Sequence, residues 1–541
     1  MTQHTEVPVL IVGGGYAGLA SALFLAHHGV RCALVDRHLG VSILGRARGI
    51  NPRTMEIYRP LGLEQLVKEA GRPFDEESGV ARCTTLTDEW HWIYDADAPR
   101  TLPELTAGEF GLADQSTVEP VLAQAARDRG AELRFNTQCE SVEPGADGVT
   151  VVARDLQSGE RLTYRAQYVI AADGFRSSIR EWCGIGREGL GVLRSYVSIV
   201  VKSDLSDIID KRALFWIIGG PGADASGALA SHALPDHWGL ALAYDPDTES
   251  PDDYTDERCV ATAKALIGRD VPVDIVSKAS WQEAVHVADR YRDGRIFLVG
   301  DAAHVWPPAG ALGANSAVQD AHNLAWKLAA VLAGRASEAL LDTYEAERRP
   351  VALELSDLTV RSQAARFGPN PDQDPMDPIL CILGQRYTST AMIGDGPGTV
   401  FGDGVAQYAR PGTRAPHLWL DQDGRRIGVH DLFHDSFVLL TQSEAWARAA
   451  REVEGVRAYR IGADLIDVED VWRSRYDGAT AVLVRPDGYV AWRCDGEPAA
   501  HPETLDNEHG PVTLADALHS ERGPVALADA LGRILRSEEQ L

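Results

Sequence analysis

The sequence predicts an α/β protein in which a parallel sheet is interleaved with an antiparallel sheet and followed by a smaller α/β unit. Three observations support this fold class. An apolar strand runs into a glycine-rich turn within residues 7–37. Two later apolar strands, within 168–180 and 295–334, end in paired aspartate and glycine residues. Between them, residues 181–285 alternate apolar and polar positions, as strands with one covered face do.

The first element has the spacing of a Rossmann-type βαβ unit. In VPVLIVGGGYAGLASALFLAHHGVRCALVDR the pattern predicts a strand at 9–12, a helix over 17–28 and a second strand at 32–35. The turn has the GxGxxG pattern: the first glycine permits a tight turn, the second lets the backbone approach a pyrophosphate, and the third lets helix and strand pack closely. These glycines are Gly13, Gly15 and Gly18.

The remainder of this unit indicates which dinucleotide it binds. The helix that opens at Ala17 points its N-terminal amides toward a phosphate. Asp36, followed by Arg37, ends the second strand about 20 residues after the glycines, where a carboxylate accepts hydrogen bonds from ribose hydroxyls. Because a carboxylate repels a 2′-phosphate, the site predicts FAD or NAD rather than NADP.

Composition argues against several other classes of function. The net charge of −27 disfavours a nucleic acid or an anionic membrane as the main partner. The first residues lack the basic and apolar regions of a signal peptide, and no apolar run reaches the roughly 20 residues that span a bilayer. The seven cysteines are scattered without a CxxC pair, which indicates reduced thiols rather than disulfides or a metal site. We therefore expect a cytoplasmic enzyme, monomeric or homodimeric, without a metal.

Two distant motifs favour FAD over NAD. YVIAADGFRSSIR at 168–180 runs a short strand into Asp173, and RIFLVGDAAH at 295–304 runs another into Asp301, each beside a glycine. An aspartate at such a place suits a ribityl hydroxyl, because glycine lets the ligand chain come close. The loop after Asp301 is rich in proline and glycine and opens a helix, so its amides can face the negative charge of a reduced flavin.

In this order, these motifs resemble the single-component FAD-dependent aromatic hydroxylases, the para-hydroxybenzoate and phenol hydroxylase family, and especially the branch that oxygenates aromatic polyketides. The resemblance covers residues 7–360 and, more loosely, the rest. It implies an FAD monooxygenase that uses O2 and takes NADPH or NADH as a transient reductant. The substrate implied is a phenolic or polycyclic aromatic compound, hydroxylated through a flavin C4a-hydroperoxide during antibiotic biosynthesis.

Other activities of the same scaffold remain open at this point. Baeyer–Villiger oxygen insertion beside a ketone and inactivation of an antibiotic are alternatives, and so is a flavin-fold binding protein without turnover. Only one complete dinucleotide fingerprint is present, because GGPGADASG at 219–227 has Ala225 at the third glycine position and is more typical of a hairpin loop. A single fingerprint agrees with a reductant that binds only transiently.

The resemblance also implies a set of cofactor-site residues. The family's flavin-site arginine corresponds to Arg46, its glutamine to Gln115, and its isoalloxazine loop to 308–315. The loop departs from the family pattern at Ala311, where glycine is usual, which narrows the loop without removing its backbone donors. The full set is Gly13, Gly15, Ala17, Gly18, Asp36, Arg37, Arg46, Gln115, Asp173, Asp301, Pro308, Gly310, Gly313, Ala314 and Asn315.

No catalytic base is evident, since neither a Ser/His/Asp triad nor a metal-binding set can be recognised. The weak candidates for a catalytic role are Arg48, Arg53 and His304. His304 follows the Gly–Asp turn, where a structural role is the expected one. Arg48 and Arg53 precede a helix and have the alternative interpretation of solvated or helix-positioning charges.

The chain is expected to form three units. The FAD-binding unit comprises 1–80, 104–180 and 286–400, and the antiparallel sheet above the flavin comprises 81–103 and 181–285. Aromatic side chains of this sheet are candidates to contact a planar substrate, although each alone is more typical of a core. They are Trp92, Trp216, Trp238 and Trp281.

The third unit, residues 401–541, resembles a thioredoxin-like domain. It has strand patterns at 435–441 and 481–493 and a helical pattern at 443–453. Because no CxxC motif is present, we expect this unit to serve packing or assembly rather than redox chemistry.

Overall fold

Within the residues that it describes, the computed structural model contains two eight-stranded sheets and three smaller sheets of four, three and two strands. It describes residues 3–42, 47–75, 79–94, 101–209, 213, 215–219, 225–367, 376–394, 396, 398–402, 404–406, 408–497 and 523–536. The strands are β1 (Gln3–Val12), β2 (Cys32–Val35), β3 (Gly49–Ile50), β4 (Val80–Cys83), β5 (His91–Tyr94), β6 (Gly111–Leu112), β7 (Glu132–Arg134), β8 (Thr137–Gly145), β9 (Gly148–Asp155), β10 (Arg161–Ala171), β11 (Arg187–Lys202), β12 (Phe215–Ile218), β13 (Gly227–Ser231), β14 (His237–Tyr244), β15 (Asp274–Ala288), β16 (Arg292–Asp293), β17 (Ile296–Leu298), β18 (His304–Val305), β19 (Trp419–Gln422), β20 (Arg425–Gly428), β21 (Phe437–Thr441), β22 (Val456–Arg460), β23 (Ile466–Asp467), β24 (Ala481–Val484) and β25 (Val490–Cys494).

The helices lie in all parts of the described chain. They are α1 (Tyr16–His27), α2 (Pro52–Tyr58), α3 (Glu64–Gly71), α4 (Gln115–Asp128), α5 (Ser178–Trp182), α6 (Asp256–Ile267), α7 (Leu312–Leu332), α8 (Thr343–Phe367), α9 (Pro378–Leu383), α10 (Glu444–Ala450), α11 (Trp472–Arg475) and α12 (Gly523–Arg536). None of the helices in the described ranges is long and apolar enough to cross a membrane.

The first sheet is the parallel sheet predicted from the glycine-rich turn. Its main order is β16-β17-β10-β1-β2-β7, and the β8–β9 hairpin adds to β10. Strands β17, β10, β1, β2 and β7 pair in parallel. The sequence-predicted strand at 9–12 is fully buried apart from a small exposed fraction at Val12, because α1 and α7 cover the sheet. The predicted βαβ unit is confirmed, with its helix one residue earlier than expected.

The second sheet has the order β18-β15-β11-β14-β13-β12-β4-β5 and is antiparallel as predicted, except that β12 and β4 pair in parallel. β12 and β13 pair as a hairpin around the 219–227 segment, as expected, although residues 220–224 lie outside the described chain. The sheet extends further than the sequence indicated. β15 continues to Ala288, and β18 pairs with it directly before the proline-rich loop. This two-residue strand joins the loop to the second sheet.

The C-terminal unit contains a four-stranded sheet of order β22-β21-β24-β25, in which only β21 and β22 run parallel. The strand and helix patterns predicted for 435–441, 443–453 and 481–493 correspond to β21, α10 and the β24–β25 hairpin. Its core includes Phe437, Leu439 and Leu483 and is continuous with Trp326 and Ala330 of α7. The C-terminal unit therefore packs directly on the long helix of the first unit.

His417 makes this C-terminal unit sensitive to acid. Its side chain is 2% exposed, packs edge-on against Trp419, and has no hydrogen-bond partner for either ring nitrogen among the described residues. Burial, reinforced by the nearby Arg414, lowers the pKa of His417 to about 3. In the unfolded chain histidine titrates at a pH of about 6.5. Below that pH, this side chain therefore binds a proton in the unfolded chain but stays neutral in the folded chain.

We therefore expect the free energy of unfolding to fall as the pH drops from about 6.5 toward 3. His417→Phe keeps a ring in the same place and removes this contribution. Its unfolding free energy at pH 5, measured by urea denaturation, should fall less relative to pH 7.5 than that of the unmodified protein. The exposed His4 offers a matched control, His4→Phe, that should leave the pH dependence unchanged. Equal acid sensitivity in both variants would contradict this interpretation.

Candidate functional site

The glycine-rich turn at the end of β1 is built for close backbone approach. Gly13 has a φ of +110°, and a Cβ there would lie 2.1 Å from the carbonyl oxygen of Ala172. A Cβ at Gly18 would lie 1.8 Å from the carbonyl oxygen of Gly13. The next helix, α1, begins after Gly15 without a side-chain cap. The first N–H groups of α1 therefore have no side-chain cap, as the N-terminus of a helix that binds an anion requires.

Asp36 lies beside this turn at the end of β2. Its Oδ2 accepts a hydrogen bond from the Gly14 amide at 2.6 Å, and its Oδ1 accepts one from the His38 amide at 2.7 Å. The carboxylate is thus held by the backbone at the position where a ribose would be recognised. Arg37 is exposed next to it.

Helix α4 places two polar side chains under the same turn. Gln115 donates from Nε2 to Oε1 of Glu119 at 2.6 Å, and Oε2 of Glu119 accepts from the Ser42 amide at 2.7 Å. Glu119 is fully buried, and a Cβ at Gly15 would lie 3.7 Å from its Oε1. Gln115 was predicted from the sequence, whereas Glu119 was not. A buried carboxylate here orders both the α4 start and the segment after β2.

The three distant motifs come together, as the sequence analysis predicts. β10 pairs in parallel with β1, and β17 pairs in parallel with β10, so the carboxyl ends of all three strands lie at the same edge of the sheet. Gly13 packs on the Ala172–Asp173 peptide, and a Cβ there would lie 2.9 Å from the Asp173 nitrogen. A Cβ at Gly300 would lie 2.8 Å from Cβ of Ala17. The segments around residues 13, 173 and 301 therefore form one continuous cleft edge.

The two aspartates differ in their surroundings. Asp173 accepts a hydrogen bond from the Ile179 amide on Oδ2 at 3.2 Å, while its Oδ1 is buried without a partner among the described residues. Burial raises the pKa of Asp173. Asp301 is exposed. Arg180, 2% exposed, donates to the carbonyl oxygens of Phe175 at 3.3 Å and Ala302 at 3.4 Å, and thereby ties the two aspartate turns together.

The loop from Pro308 to Asn315 presents its backbone rather than its side chains. Gly310 and Ala311 both have left-handed φ values, +75° and +54°, and α7 begins after Ala311 without a side-chain cap. A left-handed backbone conformation costs an alanine roughly 1–2 kcal/mol of conformational free energy. The replacement of the family's glycine by Ala311 therefore introduces backbone strain. Pro308, Gly310 and Ala311 are exposed, and Gly313 and Ala314 are half-buried.

The side chain of Asn315 is held entirely by hydrogen bonds within the protein. Its Oδ1 accepts from the Asn51 amide at 3.0 Å and from Oγ1 of Thr54 at 2.7 Å. Its Nδ2 donates to the carbonyl oxygens of Gly49 at 2.9 Å and Ala311 at 2.7 Å. All four hydrogen-bonding positions of the amide are used. The side chain therefore fixes the loop against α2.

The arginines after β2 are buried, so the interpretation as solvated charges is wrong. Arg48 donates from Nε to Asp114 at 2.8 Å and from Nη2 to the carbonyl oxygen of Ser231 at 2.5 Å, which joins the first unit to the second sheet. Arg53 instead pairs with Glu56 and donates to the carbonyl oxygen of Asp487 in the C-terminal unit. Both have structural contacts. Arg46 lies outside the described residues.

His304 has the structural role that was expected. It is 3% exposed, its Nε2 lies 2.7 Å from Oδ2 of Asp320, and its ring stacks on Trp306. Asp320 also accepts from the Gly300 amide at 3.2 Å and from Nε of Arg348 at 2.7 Å. This buried carboxylate beneath the Gly–Asp turn was missed by the sequence analysis. The available signal was a polar series on the apolar helix α7, namely Asn315, Gln319, Asp320, Asn323 and Lys327.

Three of the four candidate tryptophans lie in or against the hydrophobic core of the second sheet. Trp216 and Trp238 are buried in the core under α6, and Trp92 packs on that core from the same face of the sheet. Alternation predicted the strands correctly but could not say which face α6 covers. Trp281 lies on the opposite face, stacked on Tyr196 with ring centroids 4.6 Å apart.

That opposite face carries a row of small, half-buried side chains across four neighbouring strands. The backbone register places them directly opposite one another, so they share one face. They are Ala279, Ser198, Ala241 and Ala228, and are called here the small-residue face. Tyr196 and Trp281 border it toward β18 and the proline-rich loop. The small-residue face can therefore receive a broad, flat molecule beside the cleft edge.

Metal chemistry has no evident place in this arrangement. In the part of the chain that the structure describes, no group of three or more His, Cys, Asp or Glu side chains could hold a metal ion. The cleft instead offers backbone amides, one ribose-type carboxylate and two further aspartates, a donor and acceptor set that suits a dinucleotide with a ribityl chain. The orphaned Oδ1 of Asp173 is a specific fit to such a hydroxyl donor.

Comparison with known proteins agrees with this geometry. The family described as FAD binding domain matches residues 6–359, and the family described as aromatic-ring hydroxylase, C-terminal, matches residues 408–512. A putative polyketide hydroxylase of Streptomyces halstedii is 41% identical over 93% of this chain and 96% of its own. Tetracenomycin A2 monooxygenase-dioxygenase of Streptomyces glaucescens is 40% identical over 91% of this chain and 94% of its own.

Solved structures give the same result. Aklavinone-11 hydroxylase, crystallised with FAD and aklavinone, superposes with a TM-score of 0.87 at 34% identity, covering 99% of this chain and 100% of that one. The flavin-dependent monooxygenase PieE, in complex with FAD and substrate, superposes with a TM-score of 0.82 at 30% identity over 98% and 99%. Since relatives match it almost from end to end, the chain belongs to the FAD-dependent aromatic-ring hydroxylases and is a flavoprotein monooxygenase.

Proposed function

We propose that this monooxygenase hydroxylates a phenolic, polycyclic aromatic compound of the polyketide type, with NADPH or NADH as reductant and O2 as oxidant. The proposal that the substrate is polycyclic rests on the small-residue face. Neighbouring strands lie about 4.8 Å apart, so a row across four strands is about 14 Å long, which suits several fused rings. Two relatives support the same class by what their names state, since one is a tetracenomycin A2 monooxygenase and another binds aklavinone.

In this proposal the cleft edge holds FAD. The turn of Gly13 to Gly18 and Asp36 receive the ADP half, Asp173 and Asp301 receive the ribityl chain, and the backbone of 310–315 faces the flavin ring. The bound FAD supplies the redox chemistry, accepting a hydride from the nicotinamide and activating O2. The chain itself supplies orientation, exclusion of water and fixed charge.

The border of the small-residue face is suited to orienting a phenol. The Tyr196 hydroxyl donates toward Oε2 of Glu283 at 3.4 Å, and Nε2 of Gln363 in α8 donates to Oε1 of Glu283 at 2.6 Å. Trp281 is held by its own hydrogen bond to Oγ of Ser198 at 2.8 Å. Two ordered aromatic rings and one buried carboxylate thus form a rigid wall, against which an aromatic substrate can stack.

Product analysis with labelled oxygen tests the reaction. We expect purified, FAD-loaded protein to oxidise NADPH faster when tricyclic and tetracyclic phenols are added, and to place one atom of ¹⁸O2 on a ring carbon and the other in water. Oxygen inserted beside a ketone would replace hydroxylation by Baeyer–Villiger chemistry. NADPH oxidation that yields only H2O2 with every aromatic compound would contradict the proposal.

The small-residue face can be tested by adding bulk to it. Ala241→Phe places a phenyl ring in the middle of the row, where it would occupy the space of about one ring of the substrate. We therefore expect KM for a tetracyclic phenol to rise by at least about tenfold. FAD affinity should not change. Ser280→Phe is the matched control, because Ser280 is exposed on the opposite face of the same sheet, paired with Val197. An unchanged KM in Ala241→Phe would show that the substrate binds elsewhere.

The proposed flavin contact of the loop can be separated from folding at Gly313. An added Cβ at Gly313 has no atom within 4 Å in the protein, and alanine is favoured over glycine in a helix by roughly 1 kcal/mol. Gly313→Ala should therefore keep or raise the stability of the apoprotein while weakening FAD binding, measured by flavin fluorescence. Gly532→Ala in α12, also without a neighbour within 4 Å, is the control. Unchanged FAD affinity in Gly313→Ala would remove this loop from the flavin site.

A further inference from the structure

Helix α7 runs from the proposed flavin loop into the C-terminal unit and carries buried polar side chains along its length. Asn315, Asp320, Asn323 and Lys327 are all at most 2% exposed. Buried polar and charged groups are costly unless each finds a partner. Their partners form two linked clusters, one at the Gly300–Asp301 turn and one at the C-terminal unit.

The first cluster is centred on Asp320. It receives the Gly300 amide, Nε2 of His304 and Nε of Arg348. Burial alone would raise the pKa of Asp320, but His304 and Arg348 outweigh burial and lower it. The carboxylate is therefore ionised, and it fixes the backbone amide that immediately precedes Asp301.

The second cluster is centred on Glu347, the neighbour of Arg348 in α8. Glu347 accepts from Nζ of Lys327 at 2.8 Å and from Nη1 of Arg485 at 2.7 Å. Burial opposes ionisation of Glu347, but Arg485 and Lys327 lower its pKa far below the usual range. Arg485 belongs to the turn between β24 and β25 in the C-terminal unit.

Asp487 completes this turn and reaches α7 directly. Its Oδ2 accepts from Nδ2 of Asn323 at 3.2 Å and from Nε1 of Trp326 at 3.2 Å, and its Oδ1 accepts from Nε of Arg485 at 2.9 Å. The turn, residues 485–488, therefore inserts one cation and one anion between α7 and α8.

Arg348 is also linked to the C-terminal hairpin through two tyrosines. Its Nη1 donates to the hydroxyl of Tyr387 at 3.0 Å, and the Tyr387 ring stacks on Tyr489 of the same C-terminal hairpin, with centroids 3.9 Å apart. The 485–488 turn thus contacts Glu347, the next residue of α8 is Arg348, and Arg348 contacts Asp320, which holds the Gly300 amide.

We propose that the 485–488 turn of the C-terminal unit positions the Gly300–Asp301 turn, so that this unit sets the affinity for FAD without contacting it. The inference rests on the proposed function, in which Asp301 receives the ribityl chain. Asp487, Arg485, Glu347 and Asp320 are positioning residues. A buried charged side chain that loses its partner is costly, because no water replaces that partner. We therefore expect the remaining side chains of the cluster to shift when one of them is removed.

A double-mutant cycle tests this coupling. Asp487→Asn is expected to weaken FAD binding by about tenfold, the value of one hydrogen bond to a charged group. Asp320→Asn should weaken it at least as much. In the double variant the two effects should be strongly non-additive, because both act through one path. The measurements are the FAD dissociation constant by flavin fluorescence and the flavin absorption spectrum. Trp326→Phe, which removes only one hydrogen bond to Asp487, provides a milder variant if the others fold poorly.

The control is another ion pair between the same two units. Asp431 holds Arg59 through hydrogen bonds of 3.0 and 3.1 Å. Asp431→Asn should lower the unfolding midpoint without changing FAD affinity or the flavin spectrum. Equal FAD loss in Asp431→Asn and Asp487→Asn, or additive effects in the cycle, would overturn the inference. Failure of the proposed function is distinguishable, since Asp301→Ala would then leave FAD affinity unchanged.

Discussion

Replacing Gly18 with alanine is expected to weaken FAD binding strongly. The added Cβ would lie 1.8 Å from the carbonyl oxygen of Gly13 and 2.9 Å from its carbonyl carbon, and both are backbone atoms that no rotamer change can move. Helix α1 must therefore shift relative to β1. That shift moves the first amides of α1 away from the pyrophosphate position. FAD affinity should therefore fall by about 5- to 150-fold, the equivalent of roughly 1–3 kcal/mol of overpacking strain.

The measurement is the FAD content and dissociation constant of the purified variant, together with the unfolding midpoint of its apoprotein. Gly40→Ala is the matched control, because an added Cβ there has no atom within 4 Å and Gly40 does not have a left-handed φ. It should bind FAD normally. A Gly18→Ala protein with normal FAD affinity would show that close packing of α1 on the turn does not form the cofactor site.

The second large effect is expected on stability. Glu347→Gln leaves Lys327 and Arg485 fully buried without their shared carboxylate. Removal of one partner from a buried ion cluster typically costs 3–5 kcal/mol, so we expect a loss of about that size in the free energy of unfolding. The charge on Arg485 cannot be relieved by deprotonation, whereas that on Lys327 can.

The pH dependence of the same variant follows from Lys327. Burial already lowers its pKa to about 8, against the attraction of Glu347. Without Glu347 this pKa falls further, so the unfolded chain binds more protons than the folded chain up to pH about 10. The stability deficit should therefore shrink as the pH rises from 7 to 9, measured by urea denaturation.

An exposed ion pair serves as the comparison. Arg269 and Asp207 are bonded at 2.7 Å with side chains 44% and 63% exposed. Asp207→Asn is expected to cost less than about 1 kcal/mol, since exposed pairs contribute little. If Glu347→Gln and Asp207→Asn cost the same, the buried cluster does not stabilise the fold.

Sequence reasoning predicted the parts of the fold that depend on local spacing. The strand, turn and helix around Gly13 follow from glycine spacing, and the aspartate turns at 173 and 301 follow from short apolar strands that end in glycine. Their convergence is a consequence of parallel strand order, because parallel strands end at one edge. The family resemblance then supplied the identity of the cofactor.

The features that were missed depend on contacts between residues far apart in sequence. Glu119 meets Ser42 across 77 positions, and Glu347 meets Arg485 across 138. Nothing in the local pattern of an amphipathic helix says which distant charge will be buried beside it. The sequence also left open which tryptophans are core and which face a cleft, for a related reason. Alternation separates two faces of a strand, but the covering helix α6 decides which face becomes core.

The short strand β18 has a consequence for engineering specificity. His304 pairs with Val287, and Val305 pairs with His286. The second sheet and the proline-rich loop are therefore joined by backbone pairing. A chimera that exchanges the sheet between two hydroxylases to change the accepted ring system must therefore take 286–305 from a single parent. A junction between these paired residues would combine the sheet of one parent with the loop of the other. The backbone pairing between β15 and β18 would then not match, and the loop would not keep its position beside the sheet.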